Sequence, residues 1–481
     1  MEECLIQEKR KQKWLIVIAS AAVFMFSVDY SMVNISLPTI AVYFKATIGH
    51  VSRVPLAYLL VVTSTVLLFG KLGDIIGFKK IFIAGLVIFV TGTFLCAFAP
   101  TLNTLLALRI YQCIGEAMFS PMAIAFVTVF LPPGVRGKGL GFMTTAQGLG
   151  FCAGPVLGGF LSDHLGWHSI FFVNIPLGLA TIITAIKMLP HEQTLPAEKR
   201  VDITGSVLIF ISLSTLVFAL NSIPAMGLKH PMIISCLATA LVAFTFFLIQ
   251  ECRAKNPILY LSLFKNRDFA FATASAFCVI FVYMGLMFLF PFYLNIVRGI
   301  DMMHSGLFLM VPAFMVIISS PVAGLISDKF GCRLICTFGV SLTTLAFFLF
   351  SLLKPDTPLF HITPSLIIAG IAIGCFLPAN NKLVMAQAPE DKQGMAAAVY
   401  KILNSTGGVF GIAILPMVLM RKVLEQAAIA HIDRSMLRYY PDILIMGFDA
   451  AFKFGMFVCL AGLLFTVLAR DKKEDRPLQE G

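Results

Sequence analysis

Charge is scarce in this chain. Only 13% of its 481 residues are Asp, Glu, Lys or Arg, where a soluble domain carries about 25%. Acidic residues are the scarcer sign, 25 against 36 basic, for a net charge of +11. The basic residues sit in short stretches between apolar runs, and no arginine-rich arm or aromatic-basic platform is visible. Such a pattern argues against nucleic acid as a partner. Enzyme signatures are also missing. The sequence has no His-Glu-x-x-His, no Gly-x-Ser-x-Gly and no Gly-x-x-x-x-Gly-Lys-Ser/Thr. An ATP-driven pump therefore has no engine here. The 11 cysteines are odd in number, include no Cys-x-x-Cys pair and fall mostly inside apolar runs. They read as small buried hydrophobes, and no metal or cofactor is expected.

What fills the chain instead is apolar. Hydrophobic residues make up 58%, with 45 phenylalanines, and the mean hydropathy is +0.91. The apolar runs are near the ~20 residues that a helix needs to cross a bilayer. They predict an all-α polytopic membrane protein with about fourteen spans, for which the lipid bilayer is the solvent. The first run extends from the basic KRKQK segment to about Pro38. That exceeds the ~7–15 apolar residues of a signal peptide, so it reads as the first span.

Basic residues set the sidedness. Lys9, Arg10, Lys11 and Lys13, then Lys71, Lys79 and Lys80, then Arg136 and Lys138, recur in alternate gaps, and the last stretch adds Arg470, Lys472 and Lys473. Both termini are expected in the cytoplasm of a cell-membrane protein. The expected organisation is a six-helix bundle over 1–188, a cytoplasmic linker at 189–202 and two inserted helices over 203–250. A cytoplasmic loop at 251–268, a second six-helix bundle over 269–470 and a tail at 471–481 complete it, with a long extracellular loop at 421–447 that could also fold as an interfacial amphipathic helix.

Two charged hinges recur, one per bundle. Gly70, Asp74, Gly77, Lys79 and Lys80 form the first, and Gly324, Asp328, Gly331 and Arg333 the second, their aspartates 254 positions apart. Both read Gly-x-x-x-Asp-x-x-Gly followed by a base within two residues. Recurrence of this kind points to a membrane machine built by duplication.

Ionisable residues inside the apolar runs are the candidate site. Asp29 lies about fifteen residues into the first span, where a charge costs about 2.5–3.5 kcal/mol on insertion scales. That cost favours a water-filled cavity or a partner. Loss of water also favours the protonated carboxyl, which suits a proton carrier. A structural acid paired to a helix is the plainer alternative. Arg109, Gln112 and Glu116 fall at i, i+3 and i+7, on one helical face. They are expected to face a central cavity, with Arg109 pairing to Glu116 or Asp29. A fixed pair that only sets packing is the alternative. The fifth span carries Gly150, Gly154, Pro155, Gly158 and Gly159. Small residues four apart let helices touch, and the proline permits a bend, so this reads as a sealed gate or a plain packing face. Lys401 is expected to snorkel to a membrane face, and Asp449 with Lys453, at i and i+4, to pair at an interface.

The ordered set of motifs resembles the major facilitator superfamily, and within it the fourteen-span drug/proton antiporter branch. In VDYSMVNISLPTI, Asp29, Asn34, Leu37 and Pro38 match that branch's first-span signature. Arg109, Gln112, Gly115 and Ala117 match its fourth span, GLGFCAGPVLGG its antiporter element, and the hinges its gate loop. Glu116, Cys113, His168 and Ser169 depart from the pattern. The resemblance implies two rocking bundles around a midplane cavity with Asp29, Asn34, Arg109, Gln112 and Glu116 in it. It implies gate locking by Asp74 and Asp328. It also implies export of lipophilic compounds, cations among them, in exchange for protons by a monomer. A proton-coupled carrier dedicated to one metabolite or lipid, importer or exporter, and a non-transporting sensor or scaffold are the other classes weighed.

Overall fold

A computed structural model of the chain describes residues 8–189, 203–253, 261–389, 393–432 and 440–470. The expected linker at 189–202, apart from Leu189, and the tail at 471–481 lie outside the described residues. The described residues form helices: α1 (Lys9–Tyr43), α2 (Ile48–Val51), α3 (Arg53–Ile76), α4 (Phe78–Cys96), α5 (Leu102–Phe130), α6 (Pro133–His164), α7 (Ser169–Phe172) and α8 (Asn174–Met188) make the first bundle. The inserted pair is α9 (Ile203–Met226) and α10 (Pro231–Arg253). The second bundle is α11 (Arg267–Phe292), α12 (Met302–Phe330), α13 (Cys332–Ser351), α14 (Leu359–Gln387), α15 (Gln393–Ile429) and α16 (Pro441–Leu468).

Twelve helical segments among the described residues are long and apolar enough to cross a membrane. Helices α3 and α6, of 24 and 32 residues, are also long enough and pack among them. A fourteen-span count is compatible with this.

The chain corrects one expectation. The loop anticipated at 421–447 is much shorter, because α15 runs on to Ile429 and α16 begins at Pro441. Leu419, Val423 and Ala427 keep one face buried through this turn. Arg421, Lys422 and Glu425 take the other face, the last two 3.3 Å apart at i and i+3. Charge there marks the polar side of a continuing helix rather than its end.

The two bundles meet unevenly. The ends bearing Lys9 and the Gly77 and Gly331 turns have separate apolar cores: one from α1, α4, α5 and α8, another from α11, α13, α14 and α15. At the opposite end one core runs through both bundles, from Ile35 and Trp167 to Leu289 and Leu419. The molecule is therefore joined at one end and parted at the other.

Candidate substrate cavity and gate

Asp29 is buried inside the first bundle and held from two neighbouring helices, α5 and α8. Arg109 Nη1 donates to Asp29 Oδ2 at 2.7 Å, with both side chains 1% exposed. Gln112 Nε2 donates to Asp29 Oδ1 at 3.0 Å, and Asn174 Nδ2 donates to the same oxygen at 3.2 Å. Gln112 is itself fixed: its oxygen accepts from Arg109 at 2.6 Å and its amide donates to Thr93 Oγ1 at 2.6 Å. The Arg109 guanidinium stacks over the Tyr58 ring, 4.6 Å from its centroid. Gly92 makes this possible, since a Cβ there would meet Gln112 Cα at 2.9 Å. Five helices, α1, α3, α4, α5 and α8, so converge on one neutral ion pair. Of the two partners left open for Arg109, the structure selects Asp29.

Glu116 is brought near this cluster but not into it. It lies one turn beyond Gln112 on α5, 4% exposed, and its Oε2 has no hydrogen-bond partner among the described residues. Tyr30 lies beside it, within reach of both Glu116 and Arg109. The Tyr30 hydroxyl reaches across to Met284 Sδ on α11 at 4.0 Å. Lys401 on α15, expected to snorkel to a membrane face, instead stands in the space between the bundles within electrostatic reach of Glu116. Asn34 joins the bundles, donating from Nδ2 to the Met287 carbonyl at 3.1 Å. Asp449 and Lys453 pair at 2.8 Å, as their spacing predicts.

The fifth-span glycines divide between two neighbours. Added Cβ atoms at Gly150, Gly154 and Gly158 would run into α1 at Ser27, Ser31 and Met32. One at Gly159 would run into the Met302 backbone of α12, and one at Gly306 into the carbonyl of Pro155. The element thus seats α6 against α1 and against the other bundle, at the joined end. Asp163, one residue before the end of α6, completes that seam. Its carboxylate accepts the backbone N–H groups of Met302 (3.3 Å) and Met303 (2.7 Å), capping α12 from the opposite bundle. Next to it, the His304 amide and then its imidazole hold the Asp301 carboxyl below the usual carboxylate range.

At the parted end, the hinges turn on glycine. Gly77 and Gly331 have φ of 114° and 92°, which strain a side chain. Gly70 and Gly324 sit one to two turns before them in α3 and α12. The side chains of Lys71, Asp74 and Asp328 lie outside the described residues. The bases that follow cap helices in their own bundles. Lys79 Nζ donates to the carbonyls of Ile186 (2.9 Å) and Leu189 (2.8 Å) at the end of α8. Arg333 donates to the Val467 carbonyl at the end of α16. Lys80 follows on the same turn of α4.

The inserted pair lies over the cleft between α3 and α15. Arg53 fastens it, donating to Ser222 at 3.2 Å and lying 5.3 Å from the Phe218 centroid. Behind it is an apolar cavity of about 480 Å³, with Ser64, Leu213, Phe247, Phe277 and Phe410 among its walls. Among the described residues no three His, Cys, Asp or Glu side chains gather as a metal site.

Two helical bundles with matching hinges, buried charges in the first and a seam closed at one end define a membrane transporter of the two-bundle type. A family model described as the Major Facilitator Superfamily matches residues 19–412, and the chain belongs to that family. It is 32% identical over 465 residues to the riboflavin transporter RibZ of Clostridioides difficile strain 630, covering 96% of this chain and 99% of that protein. It is 27% identical over 415 residues to the tetracenomycin C resistance and export protein of Streptomyces glaucescens, covering 86% and 77%. In fold it is similar to the crystal structure of a bacterial homolog of the human lysosomal transporter Spinster in an inward-facing, unoccupied conformation. That match has a TM-score of 0.67 at 16% identity and covers 96% of this chain and 97% of the other. The structure of the POT family transporter PepTSo matches with a TM-score of 0.70, also at 16% identity, over 97% and 98%.

Proposed function

We propose that the protein exports lipophilic compounds, cations among them, in exchange for protons, by alternating access between its two bundles. The observation that carries this reading is Glu116, a carboxyl kept from water and left without a hydrogen-bond partner between the bundles. An acid so placed has two ways to be satisfied, a proton or a bound group. Asp29 and Glu116 alternate between those states, and Arg109 tunes the exchange. Protonation of Asp29 removes the charge that holds Arg109, so loading one acid reorganises the cluster beside the other. Resistance and export proteins among the relatives support the direction. With the termini in the cytoplasm of the plasma membrane, the parted end faces inward, in accord with the inward-facing Spinster homolog. Asp74 and Asp328 then lock that end when it closes. A monomer suffices for this cycle, and it involves no enzymatic chemistry.

Transport of a single metabolite such as riboflavin is the second reading, favoured by RibZ matching over nearly the whole of both chains. Proton movement separates the two classes of carrier. In proteoliposomes at symmetric pH, a lipophilic cation such as ethidium added outside drives protons out of the lumen under antiport. Proton entry together with the added compound, or a response to riboflavin alone, contradicts multidrug antiport.

A further inference from the structure

One charge in the cleft has no assigned task. Lys401 belongs to the second bundle, stands open between the bundles and makes no hydrogen bond or ion pair with a described residue. Its ammonium is exposed to the cleft and committed to no protein partner, so it is free to take a ligand. Opposite is Glu116 of the first bundle, nine-tenths buried and likewise unpartnered. No ion pair joins the two, although each lies in the other's field. Asp29 and Arg109, inside the first bundle, cancel each other, and Asp449 and Lys453 on α16 pair. Ile402 and Leu403, the next residues on α15, line the apolar cavity under the inserted helices. A cation, an anion facing it and an apolar wall are thus set side by side on two bundles that move relative to each other.

We propose that Lys401 anchors the substrate to the second bundle, so that the preferred compound is an amphiphile carrying a carboxylate or similar acceptor as well as a donor or cationic group for Glu116. This rests on the export reading above and names its substrate class. A ligand that bridges Glu116 and Lys401 ties the bundles together across the cleft, which is how binding would favour closure of the parted end. Charged hydrogen bonds of this kind are the strong ones, and loss of the donor leaves the acceptor bare.

The test uses two xanthene dyes that differ only in the anchor group: rhodamine 110, with a free carboxylate, and its methyl ester, rhodamine 123. Binding to the purified full-length protein in nanodiscs is followed by fluorescence anisotropy. Lys401→Gln should weaken rhodamine 110 about ten-fold, equivalent to about 1.4 kcal/mol, and rhodamine 123 less than about two-fold. Lys401→Arg should retain the carboxylate dye, and Glu116→Gln should weaken both dyes. Equal loss of both dyes on Lys401→Gln, reversed by adding Glu116→Gln, marks a gate pair and overturns the proposal. Unchanged binding of both in Lys401→Gln overturns it as well. If the wild type binds neither dye, the multidrug reading itself fails, and this proposal with it.

Discussion

Asp29 and Arg109 are each 1% exposed and form an ion pair with each other. Removing one partner strands the other, which costs about 3–5 kcal/mol, whereas removing both costs far less. Arg109→Met should therefore lower the thermal unfolding temperature of the purified protein sharply. The Asp29→Asn, Arg109→Gln double variant should recover at least half of the loss. A double variant as unstable as the single one would show that the pair contributes through its shape rather than its charge. Sequence periodicity placed Arg109, Gln112 and Glu116 on one face, and the structure keeps that face. Arg109 was anticipated as a partner of Asp29, but Asn174, which also holds it, and Thr93, which holds Gln112, were not legible. Thr93 and Asn174 lie on other helices, and a polar residue in a span gives no sign of what it will meet across a helix contact. Lys401 was misplaced for the same reason. Proximity to a helix end suggested snorkelling, while its actual neighbour, Glu116, lies 285 positions away in the chain.

Helices were the most legible level, since runs of about 20 apolar residues leave little choice in lipid. Element ends were less so. Arg421, Lys422 and Glu425 read as a loop by charge alone, yet the burial of Val423 and Ala427 carries α15 through them. In α6, the glycine spacing announced close packing but not the partner. The structure gives it two, with Gly150, Gly154 and Gly158 against α1 and Gly159 against α12. These faces should respond differently to substitution. Gly154→Val pushes on a contact within one bundle and should lower the yield of folded protein. Gly159→Val pushes on the seam between bundles and should leave a folded protein whose substrate transport falls at least about ten-fold. Size-exclusion profiles and transport rates of the two variants separate these outcomes. Similar profiles and equal rates would contradict the division.

At the scale of the molecule, duplication was visible in the two hinges, and the closed seam was not. Asp163 caps α12 across 139 positions of chain, a contact that no local pattern encodes. An N-cap of this sort contributes about 1 kcal/mol, so Asp163→Ala should shift the balance toward the form open at that end by about five-fold. Ser305, fully buried at the seam, reports on it. Labelling of Ser305→Cys from the outer side by an impermeant maleimide, measured against the unsubstituted chain, should be slow and should speed up about five-fold when Asp163→Ala is added. An unchanged rate would mean that the glycine contacts alone close the seam.

Glu116 is the point on which the account turns, because it is the acid that the fold leaves unsatisfied between the bundles. Efflux of ethidium from energised cells, with and without an uncoupler, tests it directly in the wild type and in Glu116→Gln. Proton-coupled export predicts efflux that the uncoupler abolishes and that Glu116→Gln, at equal protein level, lacks. Efflux indifferent to the uncoupler, or intact in Glu116→Gln, would contradict it.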